Sequence, residues 1–131
     1  MMIKLVFSLS LFFLCSGAVA AKEWFSNLQV EQVLVYTDHG YNIVTAKFSN
    51  DHMLETNCTP TDTHNIVSYW TKNGISTTLQ SWISVLLSAQ AQQLPVDILV
   101  DVSNCNNSAS WTAFDNPLGL GAAFYGVKAS R

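Results

Sequence analysis

Residues 76–102 read STTLQSWISVLLSAQAQQLPVDILVDV, and two hydrophobic periods meet inside this stretch. Leu79, Trp82, Ile83, Leu86 and then Gln90 recur at helical spacing, which predicts a helix over 77–93. Ser76 or Thr77 supplies the N-cap, because a hydroxyl there accepts one of the backbone N–H groups that the first turn leaves free. Pro95 ends the helix, since the residue before a proline is pushed out of the helical region. Val96, Ile98, Val100 and Val102 then alternate with Asp97, Leu99 and Asp101, the period of a strand. Asp97 and Asp101 fall on one side of that strand about 13 Å apart. That exceeds the spacing of paired glycosidase carboxylates, so they read as a solvated face.

Working outward, the chain upstream of the helix predicts three strands. Leu28 to Thr37 is the first, with its alternation broken near Glu31-Gln32 as a bulge would break it. Asp38-His39-Gly40 is a tight turn in which Gly40 can take a positive φ. Tyr41 to Phe48 is the second strand, with Val44, Ala46 and Phe48 on one face. A polar loop over 49–65 holds Cys58. The short third strand, Ile66 to Trp70, carries Tyr69 and Trp70 on opposite faces, one inward and one outward. Downstream of the helix, a second polar loop over 103–117 holds Cys105, and Leu120 to Val127 is a fifth strand rich in glycine and alanine. The order is β-β-β-α-β-β: a mainly β chain, expected to be a small five-stranded OB-like barrel with one helix between strands three and four.

The N-terminus has the parts of an export signal in order. Lys4 precedes the apolar run Leu5 to Cys15, and Ala18-Val19-Ala20 offers small residues to a signal peptidase. Residues 1–20 are therefore expected to be removed, with cleavage after Ala20 or Ala21, and 21–131 to form one domain that is secreted or periplasmic. Leu14 is too bulky for Cys15 to serve as a lipidation site, so Cys15 leaves with the signal. Cys58 and Cys105 remain. An even count in an exported chain points to a disulfide between them; the alternatives are two free thiols or a bridge between chains.

Without Lys4 the chain has five basic residues against nine acidic ones, a net charge of −4. Nucleic-acid binding needs clustered Lys and Arg to displace counterions, and no such cluster exists here. The region after the signal holds no apolar run long enough to span a bilayer as a helix. His39, His52 and His64 do not form a zinc-binding motif, and no nucleophile elbow is present. The chain is therefore expected to be non-catalytic, with no metal and no cofactor.

Glu23-Trp24 near the mature start, the helix between strands three and four, and the passage from Leu86-Leu87-Ser88-Ala89 through Leu94-Pro95-Val96-Asp97-Ile98 are similar to the B subunits of AB5 toxins. The resemblance is to the subtilase-cytotoxin B subunit group and its bacterial relatives. It implies an OB-fold, assembly into a homo-oligomer beside an exported partner subunit, and a cell-surface glycan as ligand. No binding residue carries over from it.

The residues themselves supply the site candidates. The loop between strands four and five sets Trp111 and Phe114 beside Asn106, Asn107 and Asp115. A sugar stacks its C–H face on an aromatic ring while amides and carboxylates fix its hydroxyls. The same two rings could instead fold back and plug the barrel. Trp70 is a further ligand candidate if it is the outward member of its pair. The helix has no charge between Lys72 and Asp97, and its polar face is made of Thr77, Ser81, Ser84, Ser88 and Gln92. That face is either a neutral solvated surface or a subunit interface, with Ser81, Ser84 and Ser88 as interface candidates. The expected function is a non-catalytic, oligomeric binding module for a carbohydrate or cell-surface glycan; the alternative is a periplasmic structural or protein-interaction domain without a small ligand.

Overall fold

The computed structural model describes residues 22–49, 54–58, 63–106, 111–114 and 119–130. Residues 1–21, which include the expected export signal, and His52, Asn107 and Asp115 lie outside the described residues. In chain order the elements are β1 (Lys22–Leu28), β2 (Val30–Asp38), β3 (Tyr41–Phe48), β4 (Ile66–Thr71), α1 (Thr77–Gln92), β5 (Val96–Asn106) and β6 (Gly121–Ala129). The chain is mainly β with a single helix, and the helix stands where the sequence puts it. The strands number six rather than five. The addition is β1, whose sequence KEWFSNL has no clean alternation to announce it.

The strands form one sheet in the order β1-β5-β6-β4-β3-β2, and the sheet is not closed. Neighbours run antiparallel except β4 and β6. The parallel pair follows from the connection: α1 and β5 intervene between them, and a parallel neighbour needs a long crossover. The two edge strands, β1 and β2, are consecutive in the chain with only Gln29 between them. The register of β2 on β3 shifts between Val30 and Gln32, where the alternation of the sequence breaks.

Ser76 caps α1, its Oγ accepting from the Leu79 N–H at 3.1 Å. At the other end Gln93 turns left-handed at φ 55°, and Leu94 N–H reaches back to the Ala89 carbonyl at 3.0 Å before Pro95. This closes the carbonyls that a helix end leaves open. Leu79, Leu86 and Ala89 are buried, with Trp82, Ile83 and Val85 half-buried beside them. They cover a core of Val44, Ala46, Phe48, Val67, Ile98, Val100 and Phe124. Trp82 meets Tyr69 edge-on at 5.5 Å and Phe124 at 5.4 Å.

Cys58 and Cys105 are bonded, with Cα atoms 5.3 Å apart and a sequence separation of 47. Closing a loop of that length contributes about 4 kcal/mol in the chain-entropy model. The bridge fixes the segment after β3 to the end of β5. Asn57 N–H donates to the Val102 carbonyl at 3.0 Å, and the His64 ring nitrogen Nε2 lies 2.8 Å from the Cys58 carbonyl oxygen.

Strand β3 is buried on both faces. Opposite the helix side, Ile43 pairs with Trp70 and Thr45 with Ser68. Ser68 Oγ lies 2.6 Å from the Leu120 carbonyl oxygen and 2.7 Å from Thr45 Oγ1. Thr45 Oγ1 is also 3.2 Å from the Val67 carbonyl oxygen; each hydroxyl has one proton, so with Ser68 donating to Leu120 the Thr45 proton is shared between Ser68 and the Val67 carbonyl. This seats Leu120 on the outer face of β3 and β4. Gly121 follows at φ +69°, and a side chain there would overlap the Ile66 carbonyl oxygen.

Candidate functional site

The outer face of β2 and β3 is where the aromatic loop arrives. Trp111 and Phe114 are half-buried and stand outside the main hydrophobic core. The Trp111 carbonyl accepts from Gly119 N–H at 2.7 Å, and Thr112 forms a parallel bridge with Gly119, so this short segment closes on itself. From there the indole reaches the tip of the β2–β3 hairpin. Its Nε1–H donates to His39 Nδ1 at 3.1 Å, and its ring meets Tyr41 edge-on at 5.1 Å. Lys72 Nζ sits over the Tyr41 ring, 5.0 Å from its centre.

Phe114 stands further along the same face. With Ala113 it walls a groove of about 640 Å³ whose other sides are Glu31, Gln32, Val33 and Leu34 of β2, Lys47 of β3 and Gln90 of α1. Gln90 is anchored there by its side-chain amide, which donates to the Glu31 carbonyl at 3.1 Å. The groove holds an aromatic ring, two amides, an ammonium and a carboxylate. Of these the sequence singles out only Phe114. Gln32, Leu34 and Lys47 carry the alternation of β2 and β3 but sit on the side that reads as solvent, and that alternation was the available signal.

The other expected site residues fall as follows. Trp70 is half-buried on the outer face opposite Ile43, while Tyr69 turns inward against Trp82. Asn106 ends β5, and its carbonyl accepts from Leu120 N–H at 2.9 Å. Ser81, Ser84 and Ser88 are all exposed on α1. Tyr36, paired with Ile43 on the outer face, has a buried hydroxyl with no partner among the described residues. Burial first, and then the charge of Asp38, raise its pKa.

Of the two aspartates of β5 expected on a solvated face, Asp97 stays at the surface, where it is hydrogen-bonded, and Asp101 does not. Asp101 is buried and accepts from Ser103 N–H at 3.1 Å and from Ser103 Oγ at 2.8 Å. Asp97 accepts from the Ser130 hydroxyl and from Asn27 N–H at 3.0 Å, beside Lys128. The Ser130 bond chiefly, then Asn27, and the charge of Lys128 hold its carboxyl below the usual range. The bends at both chain ends bring these donors in, and no local pattern announces them.

Among the described residues no three His, Cys, Asp or Glu side chains converge as a metal would need, and no helix is long and apolar enough to cross a membrane. Neither a family model nor a curated protein matches the chain.

Proposed function

We propose that this protein is an exported, non-catalytic binding module that takes a carbohydrate in the groove between the β2–β3 face and the Trp111–Phe114 segment. The observation that carries the reading is the groove itself, whose lining combines Phe114 with Gln32, Gln90, Glu31 and Lys47. A pyranose presents an apolar C–H face and a rim of hydroxyls, and such a lining answers both. The sheet fits an OB-type barrel in which β1 and β2, parted only by Gln29, act as one bent strand serving both edges. In that architecture the sheet face and the loop between the last two strands are the usual binding surfaces. The resemblance to toxin B subunits supports a cell-surface glycan as the class of ligand. The test is a glycan array followed by titration calorimetry on the wild type, Phe114→Ala and Lys47→Gln. Binding should fall at least about tenfold in each variant, a loss of about 1.4 kcal/mol, with melting temperatures close to that of the wild type. A wild type that binds no glycan sinks the reading.

A second reading has its own observation. The outward side of α1 carries no charge, and Leu87 on it is 47% exposed. Ser81 Oγ donates to the Thr77 carbonyl at 3.1 Å and Ser84 Oγ to the Gln80 carbonyl at 3.0 Å. The hydroxyls are spent within the helix, so the face it offers is less polar than its composition. A second copy of the chain or an exported partner subunit could pack on it. Ser84→Glu with Ser88→Glu would place carboxylates in that contact and dissociate the assembly, because burying unpaired charge costs several kcal/mol. Sedimentation of wild type and double variant decides; a wild type that is monomeric at high concentration removes self-association.

A further inference from the structure

We propose that His39 and Asp38 form a proton-operated latch on Trp111. Nδ1 of His39 lies 3.1 Å from Trp111 Nε1 and 2.8 Å from Asp38 Oδ1. The two contacts need opposite states of one atom. An indole N–H can only donate, so Nδ1 must present a lone pair to receive it. A carboxylate can only accept, so Nδ1 must carry a proton to reach Asp38. With Nδ1 unprotonated the ring holds Trp111 and forgoes Asp38. With both ring nitrogens protonated it bonds Asp38 and presents an N–H to the indole N–H, donor against donor. The latch then lets Trp111 go.

The turn is built to hold the ring there. His39 and Gly40 are the two residues between paired Asp38 and Tyr41, and both have positive φ, 48° and 77°. Two-residue hairpin turns of this kind favour Asn, Asp or Gly at the first position. A histidine in that place carries a backbone cost that Asn or Gly would lessen, and its ring meets Trp111 across a sequence separation of 72 residues. The ring is 62% exposed, so protons reach it from solvent without any opening of the fold. The charged and titratable groups around it among the described residues are Asp38 on the turn, Tyr41 at the start of β3, and Lys72, whose ammonium lies over the Tyr41 ring. Asp38 favours the released state, because it bonds Nδ1 only when that nitrogen carries a proton; the Trp111 contact selects the neutral tautomer protonated at Nε2, and a second proton then has to go to Nδ1. Lys72 opposes it, as a like charge does. Imidazoles titrate between about pH 5 and pH 8, the interval that separates neutral from acidified surroundings outside the cytoplasm.

As a control on ligand binding, the latch rests on the groove reading; as a change at Trp111, it stands alone. The experiment is therefore done without ligand. The indole ¹⁵N–¹H resonances of the mature chain are followed from about pH 8 to about pH 5, with Trp111 assigned by Trp111→Phe. Trp82, packed between Tyr69 and Phe124, serves as the internal reference for an intact fold. Protection of the Trp111 N–H, its exchange rate measured against that of free indole at the same pH, should fall about fivefold on acidification, the ratio that one net hydrogen bond sets, while the protection of Trp82 is unchanged. His39→Asn keeps the turn and should abolish the pH response. A Trp111 signal that ignores pH, or one that responds equally in His39→Asn, overturns the latch. Glycan binding measured at the same two pH values reports separately on the groove.

Discussion

The two faces of β3 are both buried, yet they are covered in different ways. On the inner face Val44, Ala46 and Phe48 lie under α1, and the cover is an amphipathic helix held by apolar packing. On the outer face Ile43 and Thr45 are buried as well, and there the irregular chain at Leu120 is held to Thr45 by a hydroxyl relay through Ser68. The inner cover is bulk hydrophobic contact, which tolerates modest change in shape. The outer cover depends on single hydrogen bonds and on one residue without a side chain, so its cost is concentrated in a few atoms. The groove and the Trp111 contact are built on this second face, where the chain is free of the demands of the main core.

The sharpest way to break the outer cover is Gly121→Ala. The added methyl would collide with the Ile66 carbonyl oxygen at a φ that alanine disfavours. The expected loss is on the order of 4 kcal/mol or failure to fold, read by chemical denaturation. A well-folded variant of near wild-type stability would mean that the seam yields, and the contrast between the faces would fail.

A paired measurement sharpens the contrast. Leu86→Ala removes a fully buried side chain from the inner cover and should cost about 3 kcal/mol through lost transfer energy and a cavity. Ser68→Ala leaves the Leu120 carbonyl without its donor on the outer face and should cost about 2 kcal/mol. The kinds of loss should differ as well as their size. Ser68→Ala should loosen the Trp111–Phe114 segment, seen as faster amide exchange at Gly119 and Leu120, and Leu86→Ala should leave those amides slow. Equal exchange in both variants would show the two covers to be one cooperative unit.

The smallest effect lies away from both faces, at Asp97. Its folded pKa is lowered, so the stability it contributes is present above the ordinary aspartate value and is lost as pH falls through the lower folded value. Melting temperature should therefore decline on acidification below about pH 4, and Asp97→Asn should flatten that decline without altering the response of Trp111. A decline that persists unchanged in the variant would place the acid sensitivity elsewhere.

Much of the inner architecture was legible in the chain because it repeats locally. The helix over 77–92, its Ser76 cap, the alternating strand after Pro95 and the apolar side of β3 all show in the period of their apolar residues. The bridge between Cys58 and Cys105 was legible from there being two cysteines after residue 20. The outer face was not legible. β1 has no alternation, Asp101 is buried by a bulge between Asp101 and Cys105, and the groove draws on Gln32, Lys47, Gln90 and Phe114 from four separate parts of the chain.

The sequence by itself determined the periods, the caps, the turn at His39-Gly40 and the mainly β character, because each is set by residues within a few positions of one another. The tertiary structure alone decided that β1 forms a sixth strand, that Trp111 meets His39 across a sequence separation of 72, that Asp101 is buried and that Asp97 is bonded to Ser130 and Asn27. Such contacts depend on register, bulges and crossovers between distant segments, and no local repeat of apolar and polar residues encodes them.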